Sequence, residues 1–147
     1  MNHTHTTTHT TRKALTLAMA AAALALTTAP AHASPAADGQ LIAYPGPDGV
    51  IWIPEVTGSS GFVSGGLDSR LDTFTTFACE GGGTIEVTFH LADHPDRDPA
   101  PFTLNCPTGD PASITLPLGP ALSGGFVATV TTSTPTTRWG ATVTQPE

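Results

Sequence analysis

From residue 40 onward the chain alternates apolar and polar positions in short runs, punctuated by glycine and proline. A period of two sends successive side chains to opposite faces of a β-strand. "TIEVTFHL" (84–91) puts Ile85, Val87 and Phe89 on one face, with Thr84, Glu86, Thr88 and His90 on the other. "SRLDTFTTFAC" (69–79) aligns Leu71, Thr73, Thr75, Phe77 and Cys79, and "PFTLNC" (101–106) aligns Phe102, Leu104 and Cys106. "QLIAY" (40–44) and "VIWIPEV" (50–56) flank the turn cluster "PGPDG". "SITLPL" (113–118), "GGFVATVTT" (124–132) and "RWGATVT" (138–144) bring the total to about eight short strands. No long window carries a helical period. The pattern predicts an all-β protein over 40–147: one antiparallel β-sandwich, Ig-like or jelly-roll-like.

The first 33 residues do not fit that pattern. "MNHTHTTTHTTRK" is a polar leader ending in Arg12 and Lys13, "ALTLAMAAAALALTTAP" is an apolar run, and "AHA" (31–33) is a small-x-small cleavage site. Together they predict a secretory signal peptide over 1–33 and a mature chain from Ser34. Residues 34–39 are expected to be a disordered mature N-terminus. His3, His5 and His9 belong to the leader, so they form no metal tract in the mature protein. The apolar run is short and alanine-rich for a bilayer, so no membrane span is expected after cleavage.

Charge narrows the partners. All twelve acids lie beyond residue 33, opposed only by Arg70, Arg97 and Arg138, which makes the mature chain −9 and lysine-free. Such a surface repels nucleic acid and anionic membranes. The expected partner is a protein or a polysaccharide, and no cofactor is expected.

Two cysteines in an exported chain predict one bridge, Cys79–Cys106. In a flat meander of 69–79, 84–91 and 101–106 the two would sit two strand spacings apart, about 9.5 Å. A disulfide needs Cα atoms within roughly 7 Å. Strand 101–106 is therefore expected either to cross to the facing sheet or to pair directly beside 69–79.

"FACEGGGTIEVTF" (77–89) carries the most unusual local chemistry, three consecutive glycines between a cysteine and a strand. A phosphate cradle wants a helix after the glycines and usually a lysine, and an oxyanion site wants a nucleophile. Neither is supplied here. A four-residue hairpin loop, Glu80–Gly83, fits the run better.

"HLADHPDRD" gathers His90, Asp93, His94, Asp96 and Asp98, a weak set of cation-ligand candidates whose spacing matches no metal motif. Its plain expectation is a solvated acidic loop. "GSSGFVSGG" (58–66) is rich in serine and glycine but lacks the G-x-S-x-G elbow. Glu80 and Glu86 are more simply strand surface acids than a glycosidase pair. No catalytic residue is assigned, and the chain is expected not to be an enzyme. Tyr44, Trp52 and Trp139 are the rings able to stack on a sugar. Apolar neighbours on both sides of Trp52 point to burial, whereas Trp139 beside Arg138 is ambiguous.

The "AHA" site, the "FACEGGGTIEVTF" core, the second cysteine in "FTLNC" and the late "FVATVTT" strand are similar to small exported β-sandwich proteins of actinobacteria. The likeness covers about residues 68–144 and implies a fold and a compartment, without an activity. Many of that group resemble envelope lipoproteins, and this chain lacks the lipid-accepting cysteine. The functional expectation is a secreted, non-enzymatic binding or envelope/extracellular structural protein, possible cell-wall association included. The alternatives are a carbohydrate-binding module and a small secreted protease inhibitor using "CPTGDPAS" (106–113).

Overall fold

The computed structural model describes residues 39–119 and 122–147. The predicted leader and residues 34–38 lie outside them. Eight strands follow in order: β1 Gly49–Thr57, β2 Ser60–Leu67, β3 Thr73–Glu80, β4 Thr84–Leu91, β5 Phe102–Asn105, β6 Ala112–Gly119, β7 Gly124–Thr132 and β8 Arg138–Thr144. The first sheet has the order β1-β8-β3-β6 and the second β2-β7-β4-β5. Every paired neighbour is antiparallel. Only β4 and β5 are consecutive strands in one sheet; every other link passes between sheets. This interleaved order is that of an eight-stranded jelly roll, two Greek keys wrapped together. Of the two sandwich types expected, the Ig-like one falls away.

The period-two pattern explains the core. Phe77, Ile85, Val87, Phe126, Val130, Trp139 and Val143 turn inward and are fully enclosed. Phe77 sits at the centre, its ring 5.5–6.4 Å from those of Phe62, Phe89, Phe102 and Trp139, which come from both sheets.

Three strand expectations are corrected. "QLIAY" is not a strand: Gln40–Tyr44 crosses beside β1 as a strap, with the Leu41 N–H donating to the Pro54 carbonyl at 3.1 Å. Pro45 and the tight turn Gly46–Asp48 follow too soon for a ladder to form. Gly39, at the end of the stretch expected to be disordered, accepts a hydrogen bond from Arg138 Nη2 at 3.0 Å. Conversely, "GSSGFVSGG" contains β2, whose glycines are tolerated because it is an edge strand needing few inward side chains. The strand expected from Ser69 starts at Thr73, because Asp68 closes a turn by accepting the Arg70 N–H at 2.9 Å.

The disulfide is formed, with Cα atoms 5.1 Å apart. Cys79 ends its run on β3 in the first sheet and Cys106 follows β5 in the second, so the facing-sheet alternative holds. The glycine triplet is consequently not a hairpin. β3 and β4 do not pair; Gly81–Gly83 is the arch that carries the chain between sheets. All three glycines take positive φ (92°, 88° and 77°), a region costly for any side chain.

Candidate functional site

The arch is occupied by the protein's own groups. The Gly81 and Gly82 N–H groups donate to the Pro107 carbonyl at 2.8 and 3.4 Å, and the Cys106 N–H donates to the Gly83 carbonyl at 2.9 Å. The buried Thr137 hydroxyl donates to the Gly82 carbonyl at 2.7 Å. The Gly81 and Gly82 amides are committed to Pro107, so two of the triplet's three donors are not turned toward an anion. It is a corner stapled by a disulfide on one side and by the β7–β8 loop on the other. The exposed turn after Cys106, the inhibitor-loop candidate, is fixed at its base by the same Pro107 contacts.

The cation candidates do not converge. His90 Nδ1 meets Asp98 Oδ2 at 2.8 Å, and Asp98 Oδ1 accepts the Leu91 N–H at 2.7 Å. The Leu91 amide, and after it His90, hold the Asp98 carboxyl below its ordinary range. Asp96 belongs to the short turn Pro95–Arg97, while Asp93 lies against Gly124. Among the described residues no three His, Cys, Asp or Glu side chains form a group able to hold a metal ion.

Nor do catalytic constellations assemble among the described residues. No hydroxyl hydrogen-bonds His90 there. Ser59 is engaged with Thr132, and Ser64 is buried in the second sheet. Glu80 and Glu86 lie on opposite outer faces of the sandwich, so they cannot flank one glycosidic bond. Glu80 instead shares Arg138 with Glu55, the latter at 2.7 Å, tying β1, β8 and β3 together. A shallow depression of about 360 Å³ is bounded by Asp72, Thr73, Phe74, Pro117 and Gly119, and its lining is mainly apolar.

The aromatic candidates separate cleanly. Trp139 is 0% exposed, its Nε1–H donating to the Gly58 carbonyl at 2.9 Å, so no ligand can stack on it. Trp52 points the other way and is 37% exposed, beside Tyr44 at 54%. Their ring centroids are 5.3 Å apart with planes at 77°. Trp52 Nε1–H donates to the Ile42 carbonyl at 3.2 Å, locking the indole against the strap that carries Tyr44. An edge-to-face pair of this kind is worth about 0.5–1.5 kcal/mol beyond its burial, so the corner is preorganised. Trp52 stands opposite Thr142, which is buried, and beyond it Thr76 and Thr115 carry hydroxyls across the first sheet. Thr76 and Thr115 share a hydrogen bond of 2.8 Å.

No protein-family model, curated protein or solved structure matches the chain. Among the described residues no helix is long and apolar enough to cross a membrane. The closed disulfide accords with an oxidising compartment.

Proposed function

We propose that this protein works outside the cell as a non-enzymatic binding domain whose ligand is a carbohydrate chain. The observation that carries this reading is the exposed Tyr44–Trp52 corner on an otherwise small, hydroxyl-bearing sheet face. A pyranose presents an apolar C–H face to one ring, while hydroxyls at its edge reach neighbouring polar groups. Two rings at 77° cannot both lie flat on a crystalline surface, so the ligand is a single chain gripped at a corner. The −9 charge of the mature chain disfavours acidic glycans and leaves neutral or amine-bearing ones. Export by the leader over 1–33 supplies the compartment, and the disulfide suits it.

The test is an intrinsic-fluorescence titration with soluble neutral glycans, alongside pull-down on insoluble ones, for wild type and Trp52→Ala. Saturable quenching by soluble chains is expected for wild type; Trp52→Ala, which also removes the reporting indole, should bind about tenfold or more weakly by calorimetry and pull-down. Absence of any response across the panel would reject carbohydrate as the ligand.

A further inference from the structure

We propose that the outer edge of β2 is a self-association site, at which two copies pair antiparallel about Phe62 and extend the second sheet across a two-fold axis. The jelly roll leaves four edge strands, β1 and β6 in one sheet, β2 and β5 in the other. An open edge is a template for another strand, and proteins blunt it with proline, charge, shortness or a cover. Three of the four are blunted here. β1 carries Pro54 and Glu55, and the strap bonds its Pro54 carbonyl. β5 has four residues, between Pro101 and Pro107. β6 contains Pro117.

β2 has none of these devices over Ser60–Ser64. It carries neither proline nor charge, and among the described residues its backbone pairs only with β7. The irregularity at Gly65–Gly66 ends the open run after Ser64.

One side-chain feature fits a particular register. Val63 is 72% exposed on the outer face, beside Val127. Pairing about Phe62 sets Val63 opposite the second copy's Gly61, which has no Cβ to obstruct it. The sequence Ser60-Gly61-Phe62-Val63-Ser64 is thus complementary to itself under the two-fold axis that a symmetric dimer requires. The occupant is a second copy of this chain. Two −9 bodies repel, but no charge is buried at the contact, so salt strengthens the pairing by screening.

Sedimentation velocity of the purified exported protein, residues 34–147, over a concentration series tests this. A reversible monomer–dimer equilibrium is expected, tightening as salt rises. Val63→Lys places a charge on the edge and should raise the dissociation constant about tenfold or more, a cost of about 1.4 kcal/mol or above. Val63 is solvent-exposed, so its melting temperature serves as the folding control. Amide hydrogen exchange on the wild type needs no variant: protection at Ser60–Ser64 should increase with protein concentration. A monomer at all accessible concentrations, a dimer indifferent to Val63→Lys, or exchange at β2 independent of concentration would each overturn the proposal.

Discussion

Replacing the glycines of the arch one at a time by alanine should destabilise the fold in the order Gly83, then Gly81, then Gly82. Each substitution places an L-residue at positive φ, a cost of about 1–2 kcal/mol. The surroundings then distinguish the three. A Cβ on Gly82 meets only Thr108 Cγ2, at an ordinary 3.5 Å, so Gly82→Ala should cost that backbone term alone. On Gly81 it comes within 3.1 Å of the Thr136 carbonyl, and the β7–β8 loop must give slightly. On Gly83 it overlaps Ser133 Oγ, with Thr134 Cγ2 at 3.1 Å. Ser133 Oγ accepts the Thr84 N–H at 2.8 Å, and displacing it forfeits a bond worth about 0.5–1.5 kcal/mol. Gly83→Ala should therefore cost about 2–3 kcal/mol. Urea unfolding without reductant measures these differences, with the midpoint shifting at constant slope. For a domain of this size each kcal/mol is about 4–8 °C in melting temperature. Equal costs at the three positions, or Gly83→Ala as the mildest, would refute the packed-corner account. Glycan binding by folded Gly82→Ala should match wild type, because the Tyr44–Trp52 corner lies elsewhere in the fold.

Ser64→Ala should raise monomer stability by about 1 kcal/mol, since it removes a buried hydroxyl without a partner among the described residues; thermal melts at low protein concentration measure this. Acid should weaken the fold, because Arg138 holds the Glu55 carboxyl low, Arg70 lowers Asp68 to about 2, and the Leu91 amide lowers Asp98. The stability linked to these groups is complete above the ordinary carboxylate range, near about 4, and is lost as pH falls through the lowered values. Circular dichroism melts from neutral pH to about pH 2 should be flat and then decline, and a decline confined to neutral pH would contradict the assignment. Reducing Cys79–Cys106, which closes a separation of 27 residues, should lower the unfolding free energy by about 3–4 kcal/mol, read from urea midpoints with and without reductant.

Most of the sandwich was legible because period two is a direct consequence of strand geometry, and the inward faces of β3, β4 and β7 carry it without interruption. β2 escaped because only Phe62, Ser64 and Leu67 turn inward, and the shift at Gly65–Gly66 breaks the alternation. The strap misled for the opposite reason: Leu41, Ile42 and Ala43 are apolar and partly buried without belonging to a ladder. The arch was visible as a turn, yet a turn within a sheet and one between sheets share the same glycines. The cysteine spacing limited the choices and the sheet order decided among them. At the site, local composition pointed the wrong way. Trp52 lies among isoleucines and is half exposed, whereas Trp139 beside Arg138 is buried. Parity held the answer: Ile51 and Ile53 face the core, so Trp52 between them cannot, while Trp139 shares its face with Ala141 and Val143.

The two tryptophans also make the binding account directly measurable. The Trp139 indole N–H is enclosed on the Gly58 carbonyl, and the Trp52 indole N–H sits at the surface on the Ile42 carbonyl. In a heteronuclear NMR titration with soluble neutral oligosaccharides, the Trp52 indole signal and amides around Tyr44 should move saturably while the Trp139 signal stays fixed. A spectrum unchanged throughout, or shifts centred away from Tyr44 and Trp52, would contradict it.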